Sequence, residues 1–317
     1  MTSPADTPSL EVKDLSVTYG EFKAVENLSL SIEKGELIGV IGPNGAGKTS
    51  FIKALCGHVE STGQILVAGQ NLKRGQDRRR KIGLVPQDIG LYPKLTAREN
   101  LDVIARLLGV KSEKRVQGIK QALEAVGLAS KSGSLVQDLS GGMKRRINVA
   151  AAIMHDPAIV IFDEPTAGVD VPARDELHSL ARRQAEQGKA IILVTHELDE
   201  AERLCDKILL LSDGQRLAFD TPLNILSKQF GETRNVVLRF ANPPSLDTQE
   251  AMHPFQFKQS ESGNVWTTTT RLNEAELMSK LTEALKDPTN TAREISIRRP
   301  GLTALMHHVE ANKGLIA

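Results

Sequence analysis

Residues Gly42, Pro43, Asn44, Gly45, Ala46, Gly47, Lys48 and Thr49 read G-x-x-x-x-G-K-[ST] and directly follow the apolar run 37–41. Glycines at those places let backbone amides turn inward, and the helix that opens after the loop adds partial positive charge for a phosphate. Lys48 is placed to reach the β- and γ-phosphates, and Thr49 to ligate magnesium, with Ser50 beside it. Such a loop between strand and helix indicates a nucleoside triphosphatase and is silent about which one.

A second group supplies what the loop lacks. Residues 159–162 are an apolar run ending in Asp163 and Glu164. In a parallel sheet the carboxyl ends of strands gather at one edge, where ligands bind. There Asp163 can face the magnesium site and Glu164 can polarise water near the γ-phosphate. Two acids after a strand can equally well only cap the next helix, so the loop is what gives them weight. His196 follows the run 191–195 at another strand end, suited to bond the γ-phosphate and the attacking water. A strand-end histidine alone is usually incidental. The set is informative; its members singly are not.

The elements that must hold these groups fall in a clear order. Residues 10–12, 15–19 and 28–32 alternate as antiparallel strands, and 63–69 adds another. A helix is expected over 48–56. From 88 to 155 the texture is helical: Thr96 and Glu99 form a capping box, and Val116, Ile119, Leu123 and Val126 recur at helical spacing. Strand-like runs at 159–162, 191–194 and 207–212 then alternate with helices at 172–187, closed by Gly188, and 197–204. Asp213-Gly214 signals a hairpin to 215–219. Continuous apolar strands separated by helices argue for a parallel sheet covered on both faces. Composition shifts after Thr221. Strands at 235–240, 265–270 and 294–297, with helices at 274–285 and 302–309, predict a small α+β appendage from about 234. The expected organisation is thus a first domain at 1–233, with a helical subdomain at 88–155, and an accessory domain at 234–317.

The 317-residue chain has a net charge of +1, so nothing global points to nucleic acid. The basic run 73–81, with Arg78, Arg79 and Arg80, reads as solvated surface. Cys56 and Cys205 lack metal-ligand spacing and read as buried or free thiols. Residues 1–9 do not read as a signal peptide, and no apolar stretch approaches the roughly 20 residues needed to span a bilayer. Any membrane role is expected to run through a separate chain.

Leu139-Ser140-Gly141-Gly142-Met143, ahead of Asp163, is similar to the L-S-G-G-Q signature of ABC (ATP-binding cassette) ATPases, and the set as a whole resembles that family over about 10–220. The resemblance implies an α/β fold: a P-loop NTPase core of ABC type, its mostly parallel sheet flanked by helices, with an antiparallel N-terminal β-subdomain and a helical subdomain. It implies ATP and Mg2+, with Ser140, Gly141 and Gly142 forming a second amide cradle that closes over ATP held by the other protomer of a head-to-tail dimer. Tyr19 resembles the aromatic that stacks on adenine, and Gln87 the glutamine that contacts the metal and relays γ-phosphate status. Asp170 resembles the aspartate that crosses the dimer interface. Glu164 takes the general-base position and His196 that of the switch histidine.

Met143 replaces the usual glutamine, and Ala167 stands where serine is common; neither removes a phosphate ligand. The string 139–146, L-S-G-G-M-K-R-R, looks like an exporter branch whose partner is a separate integral-membrane permease. Substrate touches that permease, so cargo is not legible here. The implied location is cytoplasmic, peripheral to the inner face of the cell membrane, with 88–101, including Leu91, Tyr92 and Pro93, as the candidate permease contact. The rival reading is a soluble ABC ATPase of translation or DNA repair. It is disfavoured by the single cassette, the absence of cysteine clusters and an intervening segment that runs only from 50 to 138. An importer motor is disfavoured by the mixed α+β tail.

Overall fold

In a computed structural model of the protein, residues 7–72, 76–286 and 292–311 are described. The N-terminal strands β1 (Leu10–Tyr19) and β2 (Phe22–Ile32) pair antiparallel. Two separate runs were expected at 10–12 and 15–19, yet they form one strand. Asp14 adopts φ 51° and the register shifts between Val12 and Leu15, so a bulge absorbs the polar pair and returns Leu15 to the core.

The fully buried β3 (Leu37–Ile41) follows, then α1 (Lys48–Leu55), β4 (Thr62–Val67), the two-residue β5 (Gln70–Asn71) and α2 (Gln76–Lys81). Strands β4 and β5 complete an antiparallel sheet in the order β2-β1-β4-β5. Lys73 lies outside the described residues, but Arg78 departs from the expected solvated surface. Its guanidinium donates to the carbonyls of Leu72 (3.1 Å) and Ala54 (2.9 Å), tying α2 to the end of α1.

Strand β6 (Ile82–Val85), not anticipated, precedes the helical region of α3 (Ala97–Leu107), α4 (Ser112–Ala125) and α5 (Gly141–Ile153). The capping box of α3 is complete, with Thr96 accepting from the Glu99 amide and Glu99 accepting from the Thr96 amide. On α4 the apolar stripe is shorter than its spacing suggests. Ile119, Leu123 and Val126 are buried, but Val116 is 76% exposed, because the first turns of this helix stay largely in solvent.

The chain continues through β7 (Ile159–Asp163), α6 (Val171–Glu186), β8 (Ala190–Val194), α7 (Leu198–Leu204), β9 (Lys207–Ser212) and β10 (Gln215–Asp220). Gly188, at φ 88°, follows the end of α6 as expected, and Asp213 and Gly214, both at positive φ, make the tight β9–β10 turn. These strands build a six-stranded sheet, β10-β9-β3-β8-β7-β6, parallel throughout except for the hairpin edge β10. Its apolar strands share one core with β1, β2, β4 and the inner face of α1, including Phe51, Ile52 and Leu55.

This first compact unit gives way at Pro222, and a second spans Leu223–His308. It contains most of α8 (Pro222–Phe230), then β11 (Arg234–Phe240), α9 (Leu246–Met252), β12 (Lys258–Gln259), β13 (Val265–Thr270), α10 (Glu274–Ala284), β14 (Ala292–Arg298) and the start of α11 (Leu302–Ala311). Its antiparallel sheet runs β12-β13-β11-β14. Val236, Leu238, Phe240, Met252, Trp266, Leu277 and Leu281 form a core of its own.

A half-buried histidine, its ring nitrogens shut off from solvent, gives the first unit a pH dependence. His155 lies just past α5 in a groove of about 240 Å³, shared with Cys56, Leu84, Pro86 and Ile104. Burial, helped by the Lys189 ammonium, holds its pKa down at about 4, against an ordinary 6.5. Between those values the unfolded chain binds a proton that the folded chain refuses. Stability present above pH 6.5 is therefore lost as pH falls toward 4. Between pH 7 and pH 5 the loss should be about 2 kcal/mol. Urea unfolding of His155→Leu should lack this component of the acid sensitivity; identical pH slopes in both proteins would contradict it.

Candidate active site

Strands β3, β7 and β8 end level, since Val194 pairs with Val40 on one side and with Asp163 on the other. Their carboxyl ends bring the loop 42–47, the pair Asp163–Glu164 and His196 to a single edge, beside the point where the chain order reverses around β3.

The loop's shape depends on two of its glycines. Gly42 has φ 153°, and a Cβ there would lie 2.2 Å from the Leu211 carbonyl oxygen; Gly47 has φ 98°, and its Cβ would lie 2.3 Å from that of Ala24. Backbone therefore packs against the loop from β9 and from β2, leaving no room for a side chain. Ala46 is buried and bonds back to Pro43 (3.2 Å), while Asn44, Gly45 and Thr49 are exposed and Ser50 half-buried. Gly47→Ala should disturb the loop through both clash and dihedral. A loss of about 1–3 kcal/mol in thermal unfolding is expected, with weakened nucleotide binding; unchanged melting and binding would show that β2 yields.

Lys48 begins α1 and folds back over the loop, its Nζ donating to the carbonyls of Gly42 (2.6 Å) and Pro43 (3.0 Å). Burial lowers its pKa, opposed by the carboxylates of Glu164 and Asp163. Conversely, burial and then the Glu164 charge raise the pKa of Asp163, against the pull of Lys53 and Lys48. A cation brought beside it would favour the ionised carboxylate and offset that rise.

Glu164 lies one residue past β7 at φ 47°, rare for a side chain of its size, and its amide donates to the Val194 carbonyl (2.9 Å). That bond aims the carboxylate at the neighbouring strand end, where its Oε1 lies 3.1 Å from His196 Nδ1. Thr195 Oγ1 accepts from the Glu197 amide (2.9 Å), shaping the turn that carries His196.

A second constellation surrounds an open cleft of about 610 Å³ lined by Ser140, Gly141, Gly142, Met143 and Asp170 but by none of residues 42–49. Ser140 caps α5 by accepting from the Met143 amide (3.3 Å), and Asp170 caps α6 by accepting from the Ala173 amide (3.1 Å). Gly141 and Gly142, which open α5, line this cleft, and amides at a helix start lack partners within the helix. Gln87 is exposed just beyond β6, and Tyr19 is 45% exposed at the tip of the β1–β2 hairpin.

Three features escaped the sequence reading. Arg145 of α5 donates to the carbonyls of Gln87 and, at 3.3 Å, Ala167, so one guanidinium joins the segments leading to Gln87 and to Asp170. Its place in the string 139–146 was visible; its partners were not. Phe22, 63% exposed, stands opposite Tyr19 across the hairpin. Finally, the buried Glu200 of α7 lies 3.0 Å from both Arg174 and His178 of α6, locking together the helices that follow Asp170 and His196.

A family model described as ABC transporter matches residues 25–167. The chain is 38% identical over 226 residues to the linearmycin resistance ATP-binding protein LnrL of Bacillus subtilis (strain 168), covering 71% of this chain and 73% of that one. It is 34% identical over 256 residues to the Nod factor export ATP-binding protein I of Burkholderia thailandensis, covering 80% and 83%. Among solved structures it is similar to an ATP-binding subunit of an ABC transporter (33% identity, TM-score 0.62, 70% of this chain and 93% of that one). It is also similar to the dimeric post-hydrolysis state of the ATP-binding cassette MJ0796 bound to ADP and Pi (27%, TM-score 0.58, 67% and 98%). Sequence and fold thus lead to one assignment: the chain belongs to the ABC transporter family, as one of the ATP-binding subunits whose ATP hydrolysis powers transport.

Proposed function

We propose that this subunit drives an exporter, working as a head-to-tail dimer on a separate integral-membrane permease at the inner face of the cell membrane. The observation that carries the dimer is the separation of the two constellations. The cleft lined by Ser140 and Asp170 includes none of residues 42–49. Two copies arranged head to tail would bring each loop against the other's cleft, each with a half-share of the phosphate contacts. Export is favoured by relatives whose names record Nod factor export and linearmycin resistance. Among the described residues no helix is long and apolar enough to cross a membrane. Of the candidate permease contact, Tyr92 and Pro93 are exposed, with Ile89 beside them, whereas Leu91 is buried and serves the fold.

In this reading the amides of Asn44, Gly45 and Gly47, with Lys48, Thr49 and Ser50, hold the phosphates, and Tyr19 with Phe22 offers the adenine a stacking face. The residues fit Mg2+: the exposed Thr49 hydroxyl, the desolvated Asp163 and the reachable Gln87 are hard oxygen donors. Mg2+ takes most of its ligands from phosphate and water, so a dedicated carboxylate cage is not required. Bound there, it would neutralise charge on the phosphates. Glu164 accepts a proton from water as that water attacks the γ-phosphorus, while His196, held by Glu164, bonds the γ-phosphate. The bond to the bridging oxygen breaks, releasing ADP and phosphate. Ser140, Gly141, Gly142 and Asp170 complete the site of the opposite protomer.

The test is a pull-down of tagged Glu164→Gln protein from detergent-solubilised membranes of the native host with ATP present, read by mass spectrometry. A multi-spanning protein in stoichiometric amount is the expected result. Ribosomal or DNA-repair factors in its place, or no membrane partner, would overturn the transport assignment while leaving the ATPase chemistry intact.

A further inference from the structure

In the second unit β14 is an edge strand: β11 pairs with one side of it, and no described strand pairs with the other. Seven residues long and largely exposed, it offers a row of backbone donors and acceptors, the usual template for adding another strand. Proteins generally blunt such an edge with charge, and Arg293, Glu294 and Arg298 could serve that purpose. Two observations point the other way.

The first is apolar. Ile295 pairs with Leu238, and Ile297 with Val236, so both isoleucines stand on the sheet face that carries the core. Ile297 packs against that core, but Ile295 is 38% exposed at the open edge. A core-facing isoleucine left in water wants a neighbouring strand bearing another apolar side chain.

The second is the charge pattern. If β14 met a second β14 antiparallel with Ser296 on the two-fold axis, Ile295 of each copy would face Ile297 of the other on the core side. Glu294 of each, which already pairs with Arg239 of its own sheet (3.2 Å), would also face Arg298 of the other on the opposite side. Shifting the centre by half a residue places Arg293 against Arg298, and shifting it a full residue to Ile295 leaves Glu294 facing serine. Only the Ser296 register is complementary in both charge and apolar content. Arg293 would then approach Arg299, but Arg299 is already paired with Glu232 (3.4 Å).

We propose that β14 is a self-association surface, joining the four-stranded sheets of two copies into one continuous eight-stranded sheet. This contact belongs to the second unit and is separate from the ATP-dependent closure of the cassettes. Two paired strands bury less than the roughly 1,200 Å² of a standard interface, so the contact is weak on its own and strongest where something else already holds two copies together.

Cysteine crosslinking of the full chain tests it. Directly paired antiparallel residues have Cα atoms about 4.5–5.5 Å apart, inside the disulfide range of about 4.4–6.8 Å. The native Cys56 and Cys205 are buried, which keeps the background low. Ser296→Cys in concentrated, nucleotide-free protein should form a crosslinked dimer at least about tenfold faster than Lys258→Cys on the opposite edge strand. ATPase rates of both variants report that they are folded. Adding Glu294→Arg should slow the Ser296→Cys crosslink, and adding Arg298→Glu to that should restore it. A Ser296→Cys rate equal to that of Lys258→Cys, or indifference to the charge changes, would overturn the proposal and identify the charges as guards against pairing.

Discussion

Glu164→Gln should bind ATP, stall before hydrolysis and persist as a dimer, with turnover down roughly 10²–10⁴-fold, the usual contribution of a general base. The amide is nearly isosteric, so the φ of 47° and the backbone bond to Val194 need not change. What changes is basicity: the amide still reaches His196 but cannot take a proton from water. One carboxylate near Lys48 and Asp163 also disappears. Its charge raises the pKa of Asp163, so its loss lets that acid ionise more readily and hold a cation better. Binding and chemistry should therefore separate, which distinguishes this variant from a merely unfolded one. Single-turnover hydrolysis alongside ATP-dependent sedimentation checks both halves. Hydrolysis at the wild-type rate would remove Glu164 from the role of base.

Lys48→Ala acts at the opposite point. Its ammonium sits on two loop carbonyls, 2.6 and 3.0 Å away, and in the proposed site it is the group that meets charge on the β- and γ-phosphates. Removing a preorganised cation of this kind typically costs roughly 10²–10³ in rate, and ATP affinity should fall as well. Alanine also withdraws one of the positive charges that hold the Asp163 pKa down. The phosphate cradle and the acid beside it are then weakened together. Titration with a fluorescent ATP analogue and phosphate-release kinetics would measure the two effects. Wild-type affinity in Lys48→Ala would mean that backbone amides alone hold the nucleotide.

How much of this was legible depends on whether the information is local. The loop 42–49 is contiguous, and its strand and helix are strongly patterned, so the sequence alone yields its place. Asp163, Glu164 and His196 could be set at strand ends, because parallel strands of unbroken apolar residues end at a common edge. The 3.1 Å approach of Glu164 to His196 could not be read, since it rests on a positive φ at a residue that normally avoids it. Long-range arginine contacts were invisible for a related reason. Arg78 sits in a basic run that looks solvated, yet its partners are carbonyls supplied by the fold. Short elements such as β6 and α9 were missed because four or seven residues carry too little periodicity. On α4, spacing set Val116 in line with Ile119 and Leu123, but spacing cannot tell where the neighbouring surface stops.

The arginine that joins Gln87 to Ala167 has a mechanical meaning. A guanidinium is a flat, rigid plate, so the two carbonyls it holds are kept at a nearly fixed span. Asn148, on the same helix, adds a third tie, donating to the Asp88 carbonyl (3.2 Å). A push on the segment around Gln87 from outside the site is therefore carried through α5 to the segment leading to Asp170, or else it breaks a bond. Movement at one end cannot be absorbed silently in between. Load arriving where Tyr92 is exposed would thus be felt at the cleft lined by Ser140 and Asp170, whether or not nucleotide has yet arrived there.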